Sequence, residues 1–456
     1  MDASFNTVTD MVVAPTEPRR QEGGPQDALD PRDVSSTRTA PSVLRACSIV
    51  VVVVIAVLWV DGWTSATRRH NAVHTIWTRT EPLIVEAQQI HASLSEADAS
   101  AADSFLVGGS GSSVEEARYE QSIAAASSVI LKAEQGQTSP DDRQALQTVG
   151  QQLPVYTGLV AEARALNRQN LPLGAAYLRA ASSLMQTTIL VATDQVTAND
   201  AGRLDRSYRD ATRSRDTATL LAILAVTAIA LVVTQALVFG RTNRVFNVPL
   251  VIATVVVIGA AAWMVSSFSA QRSDMVRARD EGFVPSSLLS EARVLAFRAD
   301  GDQSLSAIAR GDGAAFDADF DTALGWMGFP HGTPSTTGSL IDALDASGAR
   351  AVKPQIAPAA VAIEAYAATN ATIRAAVDSG AFTHAVTLVQ GPSATSFQTF
   401  DTDSSSALTA TQLRFESGLA AADRSLRDLA VMVTLAALLA GALALVGLQL
   451  RIREYR

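Results

Sequence analysis

The chain has 456 residues, of which 48% are hydrophobic and only 5% aromatic, and its formal net charge is −9. This balance is typical of helices, some of them in a membrane, and the negative charge argues against nucleic acid as a partner. The single cysteine, Cys47, excludes an intrachain disulfide framework and a cysteine-based metal site.

The chain begins with a tail, residues 1–42, that is rich in Pro, Gly, Asp, Arg and Thr. Such a composition cannot bury an apolar core, so we expect a disordered region here.

Four apolar runs follow, each long enough to supply the roughly 20 residues that a membrane-spanning helix needs. They predict transmembrane helices over residues 43–63, 218–239, 248–268 and 428–450. Buried core helices are the alternative, but four runs of this length make that interpretation the weaker one.

An even number of spans places both termini on the same side of the membrane. Arginines flank the spans in the N-terminal tail, in the loop 240–247 and in the tail 451–456. Short arginine-rich segments face the cytoplasm, although arginines on the opposite flanks weaken the contrast here. We therefore expect a multi-pass protein of the plasma membrane with both termini cytoplasmic. The long segments 64–217 and 269–427 would then be extracytoplasmic.

The first long segment carries helix start and stop signals for four helices. Ser112 with Glu115 predicts a capping box, and Ser139 followed by Pro140 predicts another helix start. The predicted helices run to about Val107, from Ser112, from Ser139 to about Arg168, and from about Gly174 straight into the second span. Short turns between antiparallel helices favour an up-down four-helix bundle.

The second long segment repeats this plan less clearly. "FDADFD" stands where "VEEARYE" stood, and further helices are predicted at about 339–348, 355–379 and 400 onward. The fold class predicted is therefore all-α, with two extracytoplasmic four-helix bundles produced by an internal duplication.

A charged hexapeptide, "DRSYRD" at 205–210 and "DRSLRD" at 423–428, precedes the second and the fourth span. Apolar residues spaced by three and four form a heptad seam around each copy, which is typical of a coiled coil. Acid–arginine pairs one turn apart support each helix. The hypothesis is a pair of signalling stalks, and the alternative is a solvated helix face that happens to be duplicated. The candidate stalk residues are Leu204, Asp205, Tyr208, Arg209, Ala422, Asp423, Leu426 and Arg427.

One end of the first bundle concentrates arginines in the stretch "ARALNRQNLPLGAAYLRAASSLM". Arginines can hold a carboxylate or an acidic partner surface. Ordinary helix-end chemistry is the alternative, because arginine near a helix C-terminus complements the helix dipole. The candidate contact residues are Arg164, Arg168, Asn170, Tyr177 and Arg179.

No catalytic constellation emerges from the sequence, so we expect no enzyme activity and no cofactor. His70 and His74 lie one helical turn apart, but no third metal ligand accompanies them. "GGSG" lacks the strand and the lysine of a phosphate loop. "FDADFD" lacks the spacing of a calcium loop.

The architecture together with "NRQNLPLGAAYLRAASSLM" resembles the actinobacterial GlnX-type four-span membrane proteins. The resemblance covers nearly the whole chain in architecture, and residues 164–190 in sequence. It implies a link between an extracytoplasmic amino-acid-binding lipoprotein of the GlnH type and a cytoplasmic Ser/Thr kinase of the PknG type.

The leading hypothesis is a non-enzymatic transmembrane signal transducer. It would relay aspartate or glutamate availability to a cytoplasmic Ser/Thr protein kinase and so regulate that kinase. A homodimer is one candidate oligomeric state of this transducer. The alternative is a structural or scaffold protein of the cell envelope.

Overall fold

The computed structural model describes residues 40–107, 113–135, 139–242, 247–345 and 352–453. Within these ranges the chain is helical and contains no strand. Most of the predicted N-terminal tail, residues 1–39, and the predicted cap Ser112 lie outside the described residues.

Within the described residues, the first half of the chain contains seven α-helices and the second half contains eight. In the first half they are α1 (Ala40–Thr75), α2 (Glu81–Val107), α3 (Ser113–Gln135), α4 (Pro140–Arg168), α5 (Leu173–Leu184), α6 (Leu190–Ala211) and α7 (Ser214–Thr242). In the second half they are α8 (Val248–Arg277), α9 (Val284–Ala309), α10 (Ala314–Met327), α11 (Ser339–Asp345), α12 (Lys353–Asp378), α13 (Phe382–Leu388), α14 (Ala394–Leu426) and α15 (Leu429–Arg453).

Four helical stretches are long and apolar enough to cross a membrane, and they contain α1, α7, α8 and α15. Large apolar side chains such as Ile229, Val255 and Leu438 point outward from these helices and are more than half exposed. Outward apolar side chains suit a lipid environment, where they need no protein partner. This confirms an all-α chain with four candidate membrane-spanning helices.

The spans pack in a ring in which α1 and α8 each contact both α7 and α15. Polar side chains join neighbouring spans. The indole Nε1 of Trp59 donates to Thr434 at 3.1 Å, and Gln235 donates to Thr254 at 3.0 Å. Hydrogen bonds between helices are one of the forces that hold membrane helices together.

The helices of residues 64–217, here called the first bundle, surround one apolar core that includes Leu94, Tyr156 and Met185. Helix α2 packs on α3 and α6, and α4 packs on α5 and α6. Ser139 caps α4 as its pattern predicts, because its side chain accepts a hydrogen bond from the backbone N–H of Asp142.

The helices of residues 269–427, here called the second bundle, surround a separate core that includes Phe320, Tyr366 and Phe400. The last helix of this bundle begins at Phe382, well before the predicted start near residue 400. The predicted start lies too far along the chain because Pro392 is expected to break a helix. The chain instead widens into a π-helical turn, Val389–Ser393, and continues.

Similar π-helical turns occur at Ile76–Thr80, Met185–Ile189 and Ala278–Phe283. Prolines Pro82 and Pro285 stand shortly after the first and the last of these three. A proline lacks the N–H that a regular helix uses and crowds the preceding turn, which a wider turn accommodates. Each helix that leaves the membrane can therefore continue into its bundle without a stop.

The two bundles join where α2 of the first packs along α9 of the second.

Candidate functional site

The turn between α4 and α5 forms one end of the first bundle. Asn170 adopts a left-handed backbone conformation with φ 55°, and the N–H of Leu171 bonds to the carbonyl of Leu166 at 3.0 Å. Such a closure is the usual way to end a helix. A Cβ on Gly174 would lie 2.9 Å from the carbonyl oxygen of Ala163, so only glycine lets α5 return this close to α4.

Four of the five predicted contact residues lie on or near the surface, in this turn and on the helices that flank it. Arg168, Asn170 and Arg179 are exposed, and Tyr177 is half-buried against the first core.

Arg164 points inward instead. Its Nη1 lies 3.3 Å from Oε1 of Glu116, and its guanidinium lies 4.3 Å from the ring centroid of Tyr119. Its Nη2 donates to Ser104 at 3.4 Å. Arg164 therefore ties α4 to α2 and α3, and its predicted role in contacting a partner stays a prediction.

Two leucines complete the exposed turn and were missed at the level of sequence. Leu171 is 44% exposed and Leu173 is 56% exposed. The segment "LPL" between Arg168 and Arg179 carries the signal, although its composition by itself predicts only a turn. Arginine is enriched at protein–protein interfaces, and the exposed leucines beside it add apolar area that a partner can bury. We call Arg168, Asn170, Leu171, Leu173 and Arg179 the arginine–leucine tip.

The second bundle repeats the interior of the first. Arg374 holds Asp321 at 2.9 Å, and its guanidinium lies 5.0 Å from the ring centroid of Phe320. This repeats the arrangement of Arg164 with Glu116 and Tyr119.

The corresponding turn of the second bundle differs at its surface. It carries Asp378 and Ala381 in place of an arginine and a leucine. The interior of the unit is thus shared by the two bundles, whereas the arginine–leucine tip belongs to the first alone.

The stalk residues predicted to form a seam are buried. Leu204, Ala422 and Leu426 are at most 4% exposed, and Tyr208 packs against the same apolar cluster. This cluster also contains residues of the helices that leave the membrane, among them Met275. Each hexapeptide therefore lies against another helix on its apolar side.

The charged residues of the two hexapeptides pair differently. Asp423 lies 3.4 Å from Arg427, one turn away, as the spacing predicts. In the first copy, Arg209 donates to the backbone carbonyl of Asp205, and the carboxylate of Asp205 lies 3.5 Å from Arg279 in the π-helical turn Ala278–Phe283.

The sequence predicts that the last helix of the first bundle runs straight into the second span. In the structure this helix is interrupted at Thr212 and Arg213. The carbonyl of Arg213 accepts from Arg69 at 2.7 Å, and that of Ala211 accepts from Gln271 at 3.2 Å. Arg69 is 1% exposed. These distant side chains satisfy the freed carbonyls, which lets the helix break inside a packed region.

His70 and His74 lie on α1 with ring centroids 6.2 Å apart, and the carboxylate of Asp423 lies 3.2 Å from His70. Among the described residues, no group of three or more His, Cys, Asp or Glu side chains could hold a metal ion.

Each bundle also holds a buried aspartate that sequence reasoning missed. Asp98 accepts hydrogen bonds from the hydroxyls of Tyr156 at 3.2 Å and Ser182 at 2.7 Å. Asp300 accepts one from Tyr366 at 3.0 Å. Burial raises the pKa of Asp98 to about 6 and that of Asp300 to about 7, against the hydrogen bonds that lower both.

Residues 72–209 match a family model described as an actinobacterial sensor domain. The match spans α2 to α6 and therefore contains the arginine–leucine tip and most of the first hexapeptide. No curated protein and no solved structure matches the chain. The similarity to a sensor domain supports a signalling role for this membrane protein.

Proposed function

We propose that the chain is a non-enzymatic transmembrane signal transducer. In this proposal it relays extracytoplasmic aspartate or glutamate availability from an amino-acid-binding lipoprotein to a cytoplasmic Ser/Thr kinase. The observation that carries the proposal is the arginine–leucine tip, which lies within the part of the chain that matches a sensor domain.

The tip supports a protein partner by its chemistry. Leu171 and Leu173 offer apolar area that no described residue covers, and Arg168 and Arg179 flank them with positive charge. A partner with an acidic rim around an apolar patch complements such a surface. Electrostatic complementarity of this kind mainly raises the association rate and the specificity.

The stalks support a route for the signal. The tip opens directly into α5, and α6 continues from there to the interruption beside the second span. A displacement of α5 and α6 would reach Arg69 and Gln271, whose hydrogen bonds hold that interruption. A change of state needs differential contacts of only a few kcal/mol.

The proposal predicts that charge reversal at the tip weakens binding of an aspartate- or glutamate-binding lipoprotein. With the purified full-length protein, Arg168→Glu combined with Arg179→Glu should raise the Kd about tenfold or more at low salt. The difference should shrink at high salt, because salt screens exposed charges.

The matched control is Arg310→Glu, an exposed arginine at a helix end of the second bundle. It makes the same type of charge change outside the tip and should leave the Kd unchanged. Equal binding by the tip variant and the wild type would contradict the proposal.

A further inference from the structure

Helices α2 and α9 approach each other closely where the two bundles meet. A Cβ on Gly301 of α9 would lie 3.5 Å from the Cα of Ala99 of α2. Both residues are flanked by buried neighbours on the same helices. Backbones at this separation leave no layer of water between them, so the crossing is a dry contact.

Acidic side chains nevertheless surround this crossing on both helices. Asp98 and Asp300 are each 8% exposed, and Asp302 is 1% exposed. Asp103 is half-buried, accepts a hydrogen bond from Ser304 of the opposite helix at 2.5 Å, and has its carboxyl beside that of Asp300. A buried carboxylate without a cation is costly, since the interior solvates charge poorly.

A hydrogen bond between the neighbouring carboxyls of Asp103 and Asp300 requires a proton. Two ionised carboxylates are both acceptors and cannot hydrogen-bond to each other, whereas one protonated carboxyl can donate to the other. The remaining partners, Ser304 and Tyr366, donate hydroxyl hydrogens and bring no charge.

Asp302 gives a second and independent indication. Its Oδ2 is buried and has no hydrogen-bond partner among the described residues. The nearest cation, Arg298, has its Nε 3.9 Å away, beyond hydrogen-bonding distance, and also lies 3.9 Å from Asp319. A protonated carboxyl is the form of Asp302 that such a position tolerates best.

The other charged groups around the crossing do not neutralise it. Glu115 of α3 and Asp319 of α10 add negative charge, and Arg118 of α3 is paired with Glu115 at 3.1 Å. Burial is the largest cause that raises the pKa of Asp302 to about 8 and that of Asp103 well above its usual value. The titratable, charged and amide groups around the three acids come from both bundles. From the first bundle they are Asp98, Asp103, Glu115, Arg118, Tyr156 and Gln186, and from the second they are Arg298, Asp300, Asp302, Asp319 and Tyr366.

We propose that the crossing of α2 and α9 is a proton-binding element. Asp103 and Asp300 share one proton, and Asp302 holds a second. Release of these protons to the solvent leaves like charges in a dry contact and loosens the two bundles from each other. The element needs no partner protein, so it stands independently of the amino-acid relay proposed above.

The direction of the pH dependence follows from proton binding. Acids whose folded-state pKa is raised bind more protons folded than unfolded, so the stability they contribute is present at low pH. It is lost as the pH rises through the folded values, about 7 for Asp300 and about 8 for Asp302. Asn resembles the protonated acid in shape and lacks the charge, so it should hold the contact closed at high pH.

The test measures the distance between the bundles in the full-length protein. With Cys47→Ser as background, spin labels are placed at the exposed positions Glu120 of α3 and Thr322 of α10. Between about pH 5 and about pH 8.5 the distance distribution of the wild type should widen. That of the triple variant Asp103→Asn, Asp300→Asn and Asp302→Asn should stay narrow throughout, because all three acids of the proposed element then lack a charge.

The matched control is Asp312→Asn, an exposed acid outside the crossing, which should widen like the wild type. Infrared spectroscopy gives a second readout that needs no spin label. The wild type should show the C=O stretch of a protonated carboxyl at neutral pH, and Asp302→Asn should weaken it. A distance that does not change with pH in the wild type, or the absence of this band, would overturn the proposal.

Discussion

At the scale of single residues, buried polar pairs distinguish this chain from a simple apolar bundle. Asp98 sits in the core of the first bundle with hydrogen bonds from Tyr156 and Ser182. Tyr156 is 0% exposed, and burial raises its pKa well above the usual value, so it stays a neutral donor. Because both hydroxyls favour the charged form of Asp98, losing one of them raises its pKa further.

Tyr156→Phe should therefore destabilise the protein by about 1–3 kcal/mol, since it leaves a buried acceptor without one of its donors. The loss should be larger above a pH of about 6, where Asp98 begins to ionise. Thermal melting of the full-length protein at several pH values measures it. Tyr177→Phe, at a half-buried tyrosine, should change stability by no more than about 0.5 kcal/mol. The reverse pH trend would show that Asp98 is not the group that responds.

At the scale of elements, the stalk helices fix the rotation of each bundle relative to its span. α14 ends at Leu426 and α15 begins at Leu429, yet both residues are at most 2% exposed in the same apolar cluster. The seam thus keeps its face across the interruption at Arg427 and Asp428. An insertion of seven residues rotates the seam by only about 20°, whereas insertions of three or four rotate it by about 60° and about 40° in opposite directions.

Seven residues inserted after Asp428 should therefore be tolerated. Insertions of three or four should turn Leu419, Ala422 and Leu426 away from their partners relative to the span and uncouple signalling. Kinase-dependent output in cells, compared with thermal melting of the same variants, separates lost coupling from lost folding. Equal output from all three insertions would favour an envelope scaffold whose hexapeptides are only solvated helix.

At the scale of the whole molecule, the orientation in the membrane decides which surfaces meet which partners. The arginine pattern of the short segments predicts that both bundles are extracytoplasmic. In a Cys47→Ser background, single cysteines at the exposed positions Gln169 and Thr336 should react with an impermeant maleimide in intact cells. A cysteine at Thr242, in the predicted cytoplasmic loop, should react only after lysis. The opposite labelling pattern would invert the topology.

The sequence by itself determined the features that depend on neighbouring residues. The length of four apolar runs decided the candidate spans. Ser139 with Pro140 determined where α4 begins, because a cap acts within one turn. The turn after Arg168 follows from "QNLPL", because it needs only a residue that accepts a left-handed backbone and a glycine that lets α5 return.

Only the tertiary structure decided the features that depend on distant segments. Arg164 turns inward because Glu116 and Tyr119 face it across the bundle. The helix is interrupted at Thr212 because Arg69 and Gln271 donate hydrogen bonds to the carbonyls of the adjacent residues. The acids of α2 and α9 look like solvated helix residues in sequence, since nothing local reveals that another helix will cover them. Burial and the resulting cost of charge arise only when the two bundles pack together.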